Sequence, residues 1–128
     1  MRFMMLLPAP VEALEKCAVP DAGIVTAMRT YDEEMKNAGV LLSEEGLHPT
    51  SKGVRIKVSG GKRIVTDGPF IETKEVIAGF WIIQVKSKQE AVEWAERCPL
   101  PECGVIEIRQ IFENCDFPPE LQEKAAGS

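Results

Sequence analysis

Seven side chains carry the chemistry open to this sequence: Asp67, His48, Arg55, Glu72, Lys74, Trp81 and Arg109. Asp67 ends a β-patterned segment just before Gly68 and Pro69, where a carboxylate facing a cleft partly withdrawn from water would serve as acid or base. A structural explanation competes, because Asp before Gly commonly caps a turn with its own side chain. His48 is the chain's only imidazole, so a mechanism needing a group that titrates near neutrality has no other candidate. It stands in a loop before Pro49, where surface histidines without a role are also common. Arg55 and Arg109 alternate with apolar neighbours. Turned into a cleft, either guanidinium makes a fork for a carboxylate; on a wet face it is simply solvated. Glu72, Lys74 and Glu75 form a charged run that suits a polar or anionic substrate, or water. Trp81 is expected to line a cleft and Trp94 a helix core. No glycine-rich phosphate loop, nucleophile elbow or metal-ligand cluster is present, and no cofactor is expected.

These residues sit in a chain of 128 residues, 45% hydrophobic and 27% charged, the composition of one globular domain. The net charge is −5 and the basic residues are scattered. Phosphate neutralisation supplies most nucleic-acid affinity, so no direct nucleic-acid binding is expected. Cys17, Cys98, Cys103 and Cys115 contain no Cys-x-x-Cys pair, which reads as the thiols of a reducing compartment rather than a disulfide framework or zinc knuckle. The apolar run before Pro8 is too short for a secretory signal, and no stretch is long enough to span a bilayer. A cytoplasmic protein that does not meet membranes is expected.

The elements follow from periodicity. Phe3–Leu7 is a short apolar run, hence a strand, and a brief helical turn fits Val11–Lys16. Ile24, Met28, Tyr31 and Met35 recur at helical spacing between Asp21, a plausible N-cap, and Gly39. The pattern predicts a helix over Asp21–Ala38, with Asp32 and Lys36 paired on its wet side. Val40–Leu42 reads as a strand. Val54, Ile56 and Val58 alternate with Arg55 and Lys57 and return through Gly60-Gly61 into Lys62–Thr66, the pattern of a hairpin. Gly79–Val85 is a buried strand. Ser87 and Glu90 open a helix with Ala91, Trp94, Ala95 and Cys98 on one face, closed by Pro99. Val105–Ile111 is the last strand. A domain over 1–116 and a tail over 117–128 are expected.

This order is an α+β, ferredoxin-like arrangement: an antiparallel sheet, two main helices on one face and an inserted β-hairpin. The strands Phe3–Leu7 and Phe80–Val85 are apolar at both parities, so the face without helices also needs cover. If that face exposed on the order of 600 Å² of apolar surface, its transfer term of about 15 kcal/mol would match an association cost of about 4 to 15 kcal/mol. A homodimer with face-to-face sheets is expected, with a small-molecule ligand in the cleft between sheet and partner.

The segment Thr66-Asp67-Gly68-Pro69-Phe70-Ile71-Glu72-Thr73-Lys74-Glu75 resembles the signature of the DGPF family, a branch of the YCII-related proteins. The likeness continues through Ala78-Gly79-Phe80-Trp81, the helix with Trp94 and Cys98-Pro99, Val105 to Arg109, and upstream through Gly39-Val40-Leu41 and Glu45 to Pro49. Ala78-Gly79-Phe80-Trp81 stands where the commoner pattern is Gly-Gly-Phe-Tyr, so a phenol hydroxyl is missing. The resemblance implies a ferredoxin-like dimer of the α/β-barrel kind. Members are generally of unknown function, some are associated with extracytoplasmic-function sigma factors, and wider relatives have been proposed to be enzymes using a His and Asp pair. Two expectations follow: a small-molecule-binding or regulatory module, with a sigma factor as a partner, or a cofactor-independent lyase or isomerase using Asp67 and His48 as acid and base.

Overall fold

The computed structural model describes residues 1–11 and 22–123. The turn expected over Val11–Lys16, the Asp21 cap and Cys17 lie outside those residues, Val11 excepted. The apolar N-terminal run becomes β1 (Arg2–Pro10), and helix α1 (Ala22–Asn37) runs into β2 (Leu41–Gly46). The hairpin is β3 (Val54–Ser59) and β4 (Lys62–Asp67). Then come β5 (Glu75–Gln84), helix α2 (Lys88–Glu96) and β6 (Glu107–Gln110). The main sheet has the order β2-β5-β1-β6 with every pairing antiparallel, and β3 and β4 form a separate two-stranded sheet. This is the ferredoxin-like topology with an inserted hairpin.

β1 and β5 run longer than the apolar pattern alone predicts. Pro8 and Pro10 remain in β1 because β6 pairs only with Phe3–Leu6, so beyond Leu6 that side of β1 is an edge on which no amide is required. β2 extends through the polar Ser43-Glu44-Glu45, since an edge strand keeps one side in water. β6 is shorter than Val105–Ile111.

Both helices pack on one face of the sheet. Phe3, Met5, Trp81, Ile83 and Val85 meet Tyr31, Met35, Ala91, Ala95 and Cys98 in the core. Met5, Met35 and Ile83 are fully enclosed, and each such side chain contributes about 1.5–3 kcal/mol of transfer energy. Ile24, expected on the inner stripe, is 45% exposed; the helix buries its second half. The Tyr31 hydroxyl donates to the Trp94 carbonyl at 2.6 Å and ties the helices together. Ser87 caps α2 by accepting from Glu90 N, while the Glu90 carboxylate accepts from Lys86 N. On the opposite face Met4, Leu6, Phe80 and Ile82 are only half-buried. Gly60 and Gly61 carry φ of 57° and 77°, the positive values a two-residue hairpin turn requires. Among the described residues no helix is long and apolar enough to cross a membrane.

Candidate functional site

The signature segment after β4 is held by backbone geometry. Gly68 N donates to the Gly53 carbonyl at 2.9 Å, and Phe70 N donates to Thr50 Oγ1 at 3.0 Å. A Cβ at Gly68 would fall on the Thr50 carbonyl oxygen, so only glycine lets the two backbones meet. The Gly68–Pro69 peptide is cis. The Thr73 hydroxyl closes the turn on the Phe70 carbonyl at 2.8 Å. Phe70 is thereby buried beside Gly53, and it forms, with Val76, the floor of an open groove of about 500 Å³.

The groove gathers a mixed set of groups. His48 and Lys52 come from the loop before β3, Arg55 from β3 and Glu75 from the start of β5. The Arg55 guanidinium lies 4.0 Å from the Phe70 ring centroid and pairs with Glu72 at 3.1 Å. Cation–π stacking fixes the plane of the fork and leaves part of its edge available to an anion. Arg55 and Glu72 are about half and two-thirds exposed, at 48% and 67%, so their mutual attraction is weakened by water.

The structure therefore brings His48 and Arg55 together, with Glu72 attached through Arg55. Asp67 ends β4 opposite Val54, is exposed, and is not part of the groove lining. Lys74 is exposed, and its carbonyl accepts from Val11 N. Arg109 lies on β6 opposite Met4, on the open sheet face, 4.0 Å from Glu107.

Trp81 requires a correction. It shares the parity of Ile83 and Val85, and so points into the helix-covered core, 6% exposed, edge-on to Tyr31 at 5.8 Å. Its indole Nε1 donates to Asp32 Oδ1 at 2.7 Å, because a buried indole N–H must find an acceptor. This also displaces the expected Asp32–Lys36 pair, and Lys36 lies 3.9 Å from Glu33 instead. Opposite Trp81 on β2 stands Glu44. Partial burial and the Asp32 carboxylate raise its pKa above the ordinary carboxylate range. This acid pair escaped sequence reasoning because it joins two elements, although Asp32's place beside Tyr31 in the apolar stripe was a signal. Among the described residues no group of three or more His, Cys, Asp or Glu could hold a metal ion.

The family model of the YCII-related domain matches residues 1–114. An uncharacterized protein of Rhizobium meliloti (strain 1021) is 32% identical over 93 residues, covering 71% of this chain and 75% of that protein.

Proposed function

This chain belongs to the YCII-related domain family, and on that premise we propose that it is a homodimeric module that binds a small organic anion in the groove above Phe70 and Val76. The observation that carries this reading is the convergence of His48, Lys52 and Arg55 on an apolar floor. An anionic head group meets the basic rim, and an apolar body lies on Phe70, Val54 and Ile77. Exchanging Glu72 for a ligand carboxylate at Arg55 costs little, since an exposed ion pair is worth about 0–1 kcal/mol. The acid–base alternative needs Asp67 and His48 to face one ligand, and Asp67 does not line the groove that holds His48. The half-buried apolar row Met4, Leu6, Phe80 and Ile82 supports a second copy against the sheet. The regulatory use implied by the resemblance, through a sigma factor, would be read as a change in that partner's binding on ligand addition.

The test is a thermal-shift screen of small carboxylates and phosphate esters. A compound that stabilises the wild type is expected to lose most of its effect with Arg55→Gln and to keep it with Asp67→Asn. Hits that survive both Arg55→Gln and Lys52→Gln would remove the groove from consideration.

A further inference from the structure

Glu75 lines the groove above Phe70 and Val76, yet a carboxylate there has no part in holding an anion. A bulge sets its position. Leu7 pairs with Gly79 and Pro8 with Ile77, which leaves Ala78 as the extra residue of β5. Strict alternation from Trp81 through Gly79 would turn Ile77 and Glu75 under the helices. Past the bulge Val76 is the buried residue instead, and Glu75 and Ile77 are exposed along the groove. Leu47 N donates to the Ala78 carbonyl at 2.8 Å, so the chain entering the His48 loop is tied to the same bulge. Across from it, Lys52 ends the turn Thr50–Lys52. That turn is closed by Lys52 N on the Pro49 carbonyl at 3.1 Å and by Gly53 N on the Thr50 carbonyl at 2.8 Å. Among the described residues neither Lys52 nor Glu75 enters an ion pair, with each other or with a third group. One groove thus holds a cation and an anion that do not neutralise each other.

We infer that the occupant of this groove is a zwitterion, an α-amino acid with an apolar side chain. Its carboxylate meets Arg55 and Lys52, and its ammonium meets Glu75. Its side chain lies on the floor of Phe70 and Val76, between Leu47 and Ile77. A plain carboxylate held by Arg55 and Lys52 sits in the field of Glu75 and is repelled by it. An ammonium on the neighbouring carbon reverses the sign of that interaction. Size favours a single amino acid over a peptide. A groove of about 500 Å³ is about 8 Å across if equally broad in every direction. An ammonium and a carboxylate about 3 Å apart, each with a charge-assisted hydrogen bond of about 2.8 Å, span about 8–9 Å. The two charged ends of a dipeptide lie about 3.5 Å farther apart.

This inference rests on the anion-binding reading of the groove, and matched probes separate the two. Isothermal titration calorimetry on the full chain at neutral pH compares phenylalanine with 3-phenylpropionate, which keeps the ring and carboxylate but lacks the amine. Phenylalanine is expected to bind about tenfold tighter, and leucine to behave like phenylalanine. Glu75→Gln is expected to remove that preference, weakening phenylalanine about tenfold while 3-phenylpropionate binds as well or better. Arg55→Gln weakens both. Glu75 is exposed, so the variant is expected to fold, which far-UV circular dichroism checks. N-acetylphenylalanine, which carries no ammonium, gives the same comparison on the wild type and is expected to bind no better than 3-phenylpropionate. Equal affinities for phenylalanine and 3-phenylpropionate, or a preference unchanged in Glu75→Gln, overturn the zwitterion. In that case carboxylates that still bind through Arg55 leave the anion reading standing. If neither the amino acids nor the plain carboxylates bind at about 10 mM, both readings fall.

Discussion

Gly68→Ala tests whether the signature loop is shaped by backbone contact rather than by a catalytic carboxylate. The new Cβ meets the Thr50 carbonyl oxygen, and a backbone-to-backbone clash cannot be relieved by a side-chain rotation. Either the 68–70 segment or the turn at Thr50–Lys52 must move. That movement strains the 2.9 Å bond from Gly68 N to the Gly53 carbonyl and the 3.0 Å bond from Phe70 N to Thr50 Oγ1. Two such bonds are worth about 2 kcal/mol together. Partial exposure of Phe70, buried at 6%, adds about 1 kcal/mol. Alanine lowers the entropy of the unfolded chain and returns about 0.4–1 kcal/mol. The net loss is about 2–3 kcal/mol, or about 7–11 °C in Tm for a chain of this size. Urea and thermal melts read it, with Gly46→Ala as the control, because a Cβ there meets nothing within 4 Å. The same melts with a groove ligand should show its stabilisation lost in Gly68→Ala. A Gly68→Ala protein no less stable than Gly46→Ala would refute the reasoning.

Trp81→Phe keeps an aromatic ring against Tyr31 but removes the donor to Asp32, and urea melts are expected to show a loss of about 1–2 kcal/mol. Two carboxyls give pH effects of opposite sign. Glu44 is held above its ordinary pKa by partial burial and by Asp32, so the folded state binds its proton more readily than the unfolded chain. Its contribution is therefore favourable at acid pH and is lost as pH rises from the ordinary carboxylate range through the folded value. Glu44→Gln should then raise Tm at neutral pH relative to wild type, with little difference in acid. Glu113, lowered by its hydrogen bond and charge interaction with Arg2 at 2.7 Å, behaves in the reverse way: its stabilisation is present above the ordinary range and lost as pH falls. Glu113→Gln should lower Tm at neutral pH alone. Burial pushes the Cys98 thiol up to about 11, so mass spectrometry after brief alkylation should find Cys103 and Cys115, both exposed, modified well before Cys98.

Most of the secondary structure was legible because short-range rules generate it. The alternation of Val54 to Val58, the Gly60-Gly61 turn and the Ser87/Glu90 cap each depend on a few neighbouring residues, and all three occur as read. The ends of strands were less legible, since pairing sets them. β2 continues through two glutamates because β5 is beside it, and β1 keeps two prolines because β6 stops short. The candidate site was legible in part. His48 and Arg55 reach one groove, but Phe70 as its floor and Lys52 on its rim come together only when the 68–70 segment folds onto the turn at Thr50–Lys52.

By itself, the order of residues determined that two helices and an antiparallel sheet would form, because periodicities of 3.6 and 2 sort apolar side chains onto faces regardless of what those faces later meet. Only tertiary structure decided which face of β1 and β5 the helices cover, and so that Trp81 is core and Phe80 is not. In a strand apolar at both parities, both faces bury equally well by local criteria, and the choice falls to the handedness and packing of the elements around it.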